Sequence, residues 1–258
     1  MAVAEETKTS AAHGKATLYD ASISNNGARV RFVIYGKGLE DEIEMAKPAD
    51  LGGLKSEAYL ALNPEGKMPL LVTPEGEGIP ESKVIAEYLL DTYREKGPSF
   101  EPEPENKLRC SLIERIHDLY IAANQGSMYR AMDPSAREQG LREIAKQLRI
   151  LERYAKAEPY LAGPTETAAD HAVFPTMVFI DYITPRVYGW NTYLDDKPKL
   201  KKWWTFMSEQ PVGRRIRDEV EGALQSWFES GRFEKLGITD LVKEDPKRFT
   251  IEALEAAS

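Results

Sequence analysis

The chain has 258 residues, 42% of them apolar and 29% charged, which is enough for one large domain or two modest ones with buried cores. Its 42 acidic and 34 basic side chains leave a net charge of -8, which argues against nucleic acid or an anionic membrane surface as a general partner. A single cysteine, Cys110, excludes an intramolecular disulfide and any multi-cysteine metal site; His13, His117 and His171 lie too far apart for zinc-ligand spacing, so no metal is expected.

Residues 1–15 are polar and acidic, lack the apolar core of a secretory signal, and read as a flexible tail. No run of about 18 apolar residues occurs anywhere, so no membrane span is expected and the reducing cytoplasm is the expected location. "ATLYDA" (16–21) has strand character. "ARVRFVIYGKG" (28–38) spaces Val30, Val33 and Ile34 for a helix that ends at Gly36 or Gly38. "EDEIEMA" (40–46) alternates like a second strand, and "SEAYLALNP" carries a short helix stopped at Asn63-Pro64. "MPLLVTPEGEGIPES" reads as two strands around a glycine-containing turn, and "SKVIAEYLLDTY" (82–93) as a helix with apolar residues at 84, 85, 88 and 89.

That order, β-α-β-α-β-β-α over residues 16–95, describes a small mixed α/β unit. The acidic, proline-rich residues 96–105 form a connector. From 106 to 235 the chain reads as an all-helical unit: four segments, over 106–130, 135–158, 167–184 and 211–230, keep helical spacing and none reads as a strand. The basic cluster at 197–202 reads as solvated surface. Residues 236–258 are polar and are expected to pack loosely as a C-terminal extension.

Three clusters in the first unit admit a structural and a chemical reading. Ser24, in "ISNNGARVRF", sits at a helix entry, where Ser, Asn and Gly serve as caps; its hydroxyl is also a hydrogen-bond donor at an electropositive helix end. In "NPEGKMPLLV", Pro69 can open an edge strand, and a cis Met68-Pro69 bond would present the Met68 backbone to an extended peptide ligand. In "IPESKVIAEYLL", Ser82 reads as a helix cap or as part of a carboxylate site, with Glu81 beside it to hold an amino group.

Taken in order, Ser24-x-x-x-x-Arg29-Val30-Arg31, "NPEGKMP" and "ESKVIAEYL", followed by a helical unit, resemble the glutathione transferases over about residues 16 to 230. Thr167-Ala168-Ala169-Asp170 is similar to the capping box that opens the family's central core helix, though the flanking Glu166 and His171 cannot make its apolar staple. The resemblance implies an α/β thioredoxin-like N-terminal domain that binds glutathione, followed by an all-α helical C-terminal domain that supplies most of the acceptor pocket. It implies that Ser24 donates to the glutathione sulfur, with Asn25 and Asn26 as possible support. Met68 before Pro69 would pair with the cysteinyl residue, Glu81 and Ser82 would hold the γ-glutamyl end, and Lys55 and Lys67 would face the glycyl carboxylate. Cysteine-type relatives need a thiol where this chain has Ser24, and Tyr19, five residues earlier, reads as packing rather than as a catalytic tyrosine.

The acceptor pocket is less defined. Ile23 borders it beside Ser24. On one long helix over 106–130, His117, Tyr120 and Asn124 would share a face, and Trp227 with Phe228 could roof the pocket, although core packing competes for all of these. The implied activity is attack of a glutathione thiolate on a small hydrophobic electrophile, by conjugation, thiolytic dehalogenation, ether cleavage or isomerisation, in a homodimer that uses glutathione as co-substrate and no metal. The competing reading is a non-catalytic binding protein of the same fold, a ligand carrier or an assembly subunit.

Overall fold

The structure, a computed structural model, describes residues 14–256, so all but the last two residues of the expected tail over 1–15 lie outside it. The chain separates into two compact units, divided between Gly97 and Pro98.

The first unit runs β1 (Ala16–Tyr19), α1 (Asn25–Lys37), β2 (Ile43–Ala46), α2 (Glu57–Leu62), β3 (Leu70–Val72), β4 (Gly78–Pro80) and α3 (Ser82–Thr92). The sheet order is β2-β1-β3-β4, with β1 parallel to β2 and the other neighbours antiparallel. This is the thioredoxin-like arrangement implied by the resemblance. Alternation along the strands divides the core. Ala16, Leu18, Ile43 and Leu71 pack with Val30, Val33, Ile34 and Leu39, and with Ile85 and Leu89 of α3. Tyr19, Leu70 and Val72 turn to the other face and meet Tyr59 and Leu62 of α2. Helix α1 begins three residues before the predicted segment 28–38 because Ser24 caps it, and it ends at Gly38, whose left-handed backbone (φ 65°) accommodates a Schellman-type turn.

The second unit contains α4 (Lys107–Ile116), α5 (Pro134–Tyr154), α6 (Ala168–Tyr188), α7 (Pro198–Glu209) and α8 (Pro211–Glu229), then the short α9 (Arg232–Lys235), α10 (Ile238–Glu244) and α11 (Ile251–Ala256). Helix α6 is buried along nearly its whole length. At its start the Asp170 carboxylate accepts hydrogen bonds from the Thr167 N–H (2.9 Å), the Leu161 N–H (2.9 Å) and the Trp203 indole (2.8 Å). Burial pushes its carboxyl up from the ordinary aspartate range, against donors that favour the ionised form. Where the apolar staple is missing, Glu166 Oε1 lies 2.9 Å from His171 Nε2, a polar link between the same two positions.

Three expectations for this unit are corrected. The single helix over 106–130 ends at Ile116 and gives way to a π turn at His117–Ile121 and a 3₁₀ segment at Ala122–Met128. The polar run "AANQGS" weakens the α-helix, and the buried Arg137 guanidinium on α5 takes the carbonyls of Ser127 and Arg130, while the Tyr188 hydroxyl donates to that of Met128. Of the basic cluster 197–202, Lys197 is 1% exposed; its ammonium pairs with Asp196 (2.6 Å) and Glu255 (3.1 Å) before α7 begins. The C-terminal segment is not loose: Ile238, Phe249, Ile251 and Leu254 are buried, and the Trp190 indole donates to the Phe249 carbonyl at 2.7 Å.

Candidate functional site

The register of the sheet brings three segments to one end of the first unit. Tyr19 pairs with Leu70, and Leu70 with Pro80. The residues that leave β1 (20–24), those that enter β3 (67–69) and those that leave β4 (81–82) therefore lie side by side, and α1 and α3 both start there. Two helix N-termini at one edge give the site a positive local potential.

Ser24 holds the N-cap of α1 with an extended backbone (φ -80°, ψ 115°), and its Oγ accepts the Gly27 N–H at 3.0 Å. The bond uses an oxygen lone pair and leaves the hydroxyl hydrogen able to donate. The capping and chemical readings are thus compatible in this geometry. Ser24 is buried, Asn25 and Ile23 are half-buried, and Asn26 is exposed.

Beneath this turn is a pair that sequence reasoning missed. Asp20 and Arg31, 4% and 2% exposed, meet at 2.5 Å (Oδ2 to Nη1). Arg31 also donates to the carbonyls of Ala21 (3.2 Å) and Ser22 (3.1 Å), so one guanidinium grips the loop that leads into Ser24. Gly27 makes room for the carboxylate: a Cβ there would lie 1.9 Å from Asp20 Oδ1. The available signal was an acid at a strand end, with an arginine two helical turns beyond Ser24.

The second segment is built around a cis Met68–Pro69 bond. The ladder of β3 starts at Leu70, one residue after the proline. The Lys67 carbonyl before it is held by the Tyr59 hydroxyl and the Asn63 side-chain amide, both at 2.7 Å and both from α2 or its C-cap. Burial raises the Tyr59 phenol to about 12. Met68 is half-buried and Pro69 buried, whereas Lys55 and Lys67 are exposed, Lys67 lying 3.5 Å from Glu65. The Lys55 ammonium is close to Gly66, where a Cβ would meet it at 2.8 Å.

In the third segment Glu81 has φ 69° and ψ 115°, a region that costs a non-glycine residue about 1–3 kcal/mol. The strain is a candidate marker of function, since this backbone aims the exposed Glu81 side chain and the start of α3 together. The capping reading of Ser82 is corrected: Glu81 is the N-cap, and Ser82 is the first helical residue with a buried side chain.

Within the helical unit, the residues proposed for the acceptor pocket have different surroundings. With the α-helix broken at Ile116, His117, Tyr120 and Asn124 no longer share a helical face. His117 is 1% exposed and bound to Thr176 Oγ1 (Nε2, 2.8 Å) and Asp118 (Nδ1, 2.8 Å), which makes it a core residue. Tyr120 is 45% exposed, and the Asn124 amide donates back to the Tyr120 carbonyl at 2.8 Å. Trp227 is half-buried against Tyr129 (5.0 Å between centroids) and Phe179 (6.3 Å), with the Arg232 guanidinium 4.4 Å above it. Tyr19 is buried in the sheet, and Cys110 is buried in the helical unit with its thiol pushed up by desolvation, so neither resembles an activated nucleophile. Among the described residues, no three His, Cys, Asp or Glu side chains cluster as metal ligands, and no helix is long and apolar enough to cross a membrane.

Comparison with known proteins gives one consistent result. The family model described as "Glutathione S-transferase, N-terminal domain" matches residues 18–97, and "Glutathione S-transferase, C-terminal domain" matches 116–211. The chain is 30% identical over 225 residues to glutathione S-transferase PM239X14 of Arabidopsis thaliana, covering 78% of this chain and 95% of that one. It is 28% identical over 209 residues to glutathione S-transferase 3 of Zea mays, with 76% and 90% covered. The fold matches the crystal structure of glutathione transferase F7 from Populus trichocarpa with a TM-score of 0.66 at 19% identity, covering 80% of this chain and 99% of that one.

Proposed function

Because the chain belongs to the glutathione S-transferase family, we propose that it is a serine-type transferase in which Ser24 activates the thiol of glutathione for attack on a hydrophobic electrophile. The observation that carries this reading is the convergence of Ser24, cis Pro69 and the Glu81-Ser82 turn at one sheet end with two helix N-termini. In this arrangement the Met68 backbone pairs with the cysteinyl residue, the start of α3 with Ser82 takes the γ-glutamyl carboxylate, and Glu81 takes its amino group. In this reading Lys55 and Lys67 face the glycyl carboxylate.

The energetics are of the right size. A free thiol near pKa 8.5 must fall by about two units, or about 2.7 kcal/mol, to be mainly thiolate at neutral pH. One charge-assisted hydrogen bond of about 1.5–3 kcal/mol from Ser24, in the field of the α1 N-terminus, supplies that. The thiolate then attacks the electrophilic carbon, forming the C–S bond as the leaving group departs with the bonding electron pair. The helical unit is the source of the second-substrate contacts, and a homodimer in the glutathione-rich cytoplasm completes the proposal.

Glutathione binding and aryl-halide conjugation are measured on the wild type and Ser24→Ala. The variant is expected to bind glutathione within a few-fold of wild type and to lose about 10- to 100-fold in kcat/KM. A loss well below tenfold removes Ser24 from the chemistry and turns attention to Asn25 and Asn26. Absence of glutathione binding by the wild type refutes the whole reading.

A further inference from the structure

The Asp20–Arg31 pair has no part in the chemistry just described, yet it sits under the turn that carries Ser24. Three contacts tie it there. Arg31 bonds the Asp20 carboxylate and the carbonyls of Ala21 and Ser22, all within the loop that ends at Ser24. The Asp20 carboxylate presses on the Cα of Gly27 so closely that no Cβ fits. The N–H of Gly27 is in turn the donor that fixes Ser24 Oγ. The ion pair is therefore one residue removed from the capped hydroxyl, and both of its members are almost wholly withdrawn from water.

We infer that Asp20 and Arg31 are positioning residues that hold Ser24 and, as buried groups of opposite charge, tune the potential felt by the glutathione thiolate in opposite directions. The inference rests on the proposed role of Ser24 and goes beyond it by assigning opposite electrostatic effects to two residues that share one bond. Among the charged and titratable groups around Asp20 are Arg31 on α1 and Tyr59 on α2, whose phenol feels the Asp20 charge. The guanidinium contacts to the Ala21 and Ser22 carbonyls both come from Arg31, so this grip and the positive charge are carried by the same side chain.

A structural role and an electrostatic role predict different results. Asp20→Asn and Arg31→Gln break the same ion pair, so loss of positioning alone moves the bound thiol in the same direction in both. Loss of charge moves it in opposite directions. Asn at 20 leaves a guanidinium that cannot lose its proton, which favours the thiolate. Gln at 31 leaves a carboxylate, which disfavours it. By Coulomb's law, a unit charge at a separation of about 10 Å, in surroundings of effective dielectric constant about 20–40, shifts a pKa by about one unit.

The test is an ultraviolet thiolate titration of the full chain saturated with glutathione, for wild type, Asp20→Asn, Arg31→Gln and Arg31→Lys. The expected result is a bound-thiol pKa about one unit lower in Asp20→Asn and about one unit higher in Arg31→Gln. Arg31→Lys, which keeps the charge but loses the fork, should stay within about 0.3 units of wild type while kcat/KM falls as Ser24 loosens. Shifts of the same sign in Asp20→Asn and Arg31→Gln, or a pKa in Asp20→Asn that is not lowered, overturn the inference and leave the role of Ser24 standing. If Arg31→Gln does not fold, Asp20→Asn, which preserves size and shape, decides alone. A wild-type thiol that titrates like free glutathione, or fails to bind, refutes the functional reading first and this inference with it.

Discussion

Replacing Gly27 by alanine sets two effects against each other. By helix propensity alone, Gly27→Ala in the first turn of α1 stabilises the helix by about 1 kcal/mol. The new Cβ would lie 1.9–2.1 Å from three atoms of the Asp20 carboxyl group. That carboxylate cannot swing away cheaply: it is 4% exposed and bound to Arg31 at 2.5 Å. Overpacking costs about 1–3 kcal/mol, and displacing one member of a buried ion pair about 3–5 kcal/mol. The net expectation is a loss of about 3–7 kcal/mol localised to the first unit, with kcat/KM falling because the Gly27 N–H is also the donor to Ser24. All four tryptophans (190, 203, 204 and 227) lie in the helical unit, so tryptophan emission does not report on α1. Hydrogen exchange of the peptide covering 25–37 does, and its amides should exchange at least tenfold faster. Unchanged or slower exchange refutes the claim that the carboxylate is immobile.

A substitution and a deletion probe the frame of the two units, one in each. Tyr59→Phe removes one of two donors to the Lys67 carbonyl and should cost about 1 kcal/mol while raising the KM for glutathione a few-fold, read by urea unfolding and steady-state kinetics. Because the folded phenol is raised to about 12 from 10.0, its contribution is intact below pH 10 and is lost as pH rises toward 12. Tyr59→Phe should flatten stability over that window, and an unaltered alkaline profile would show that the phenol is not buried as described. Deleting residues 237–258 uncovers the core around Phe249, Ile251 and Leu254 and removes the acceptor of the Trp190 indole. At about 1.5–3 kcal/mol per large apolar side chain, the helical unit should lose several kcal/mol in a melt followed by tryptophan emission, whereas an unchanged midpoint would restore the loose-tail reading.

Much of the first unit was legible in the chain because its signals are local. Alternation in "ATLYDA", the 3.6-residue spacing of Val30, Val33 and Ile34, and the punctuation at Gly38 and Asn63-Pro64 act over a few residues. In the helical unit the same rules failed where long-range partners decide. The helix over 106–130 gives way after Ile116, and at the far end of that segment Arg137 and, from 60 residues on, Tyr188 take the carbonyls of Ser127, Arg130 and Met128. Helix α7 was hidden by a cluster of lysines whose first member, Lys197, is buried by an ion pair with Glu255, 58 residues on. His117 had the spacing of a pocket residue, but Thr176 and burial make it core.

At Ser24 the division is sharpest. Sequence alone determined that a hydroxyl stands at a helix entry, at a spacing from Met68-Pro69 and Glu81-Ser82 that resembles a glutathione cradle, because motif order and residue type are properties of the chain. Only the tertiary structure decided that these segments share one sheet end, that the Ser24 oxygen caps α1 through a lone pair and leaves its proton to donate, and that Asp20 and Arg31 lie beneath it. The physical reason is that strand register and the neutralisation of a buried charge are settled by partners many residues apart, and no local pattern records which partner is chosen.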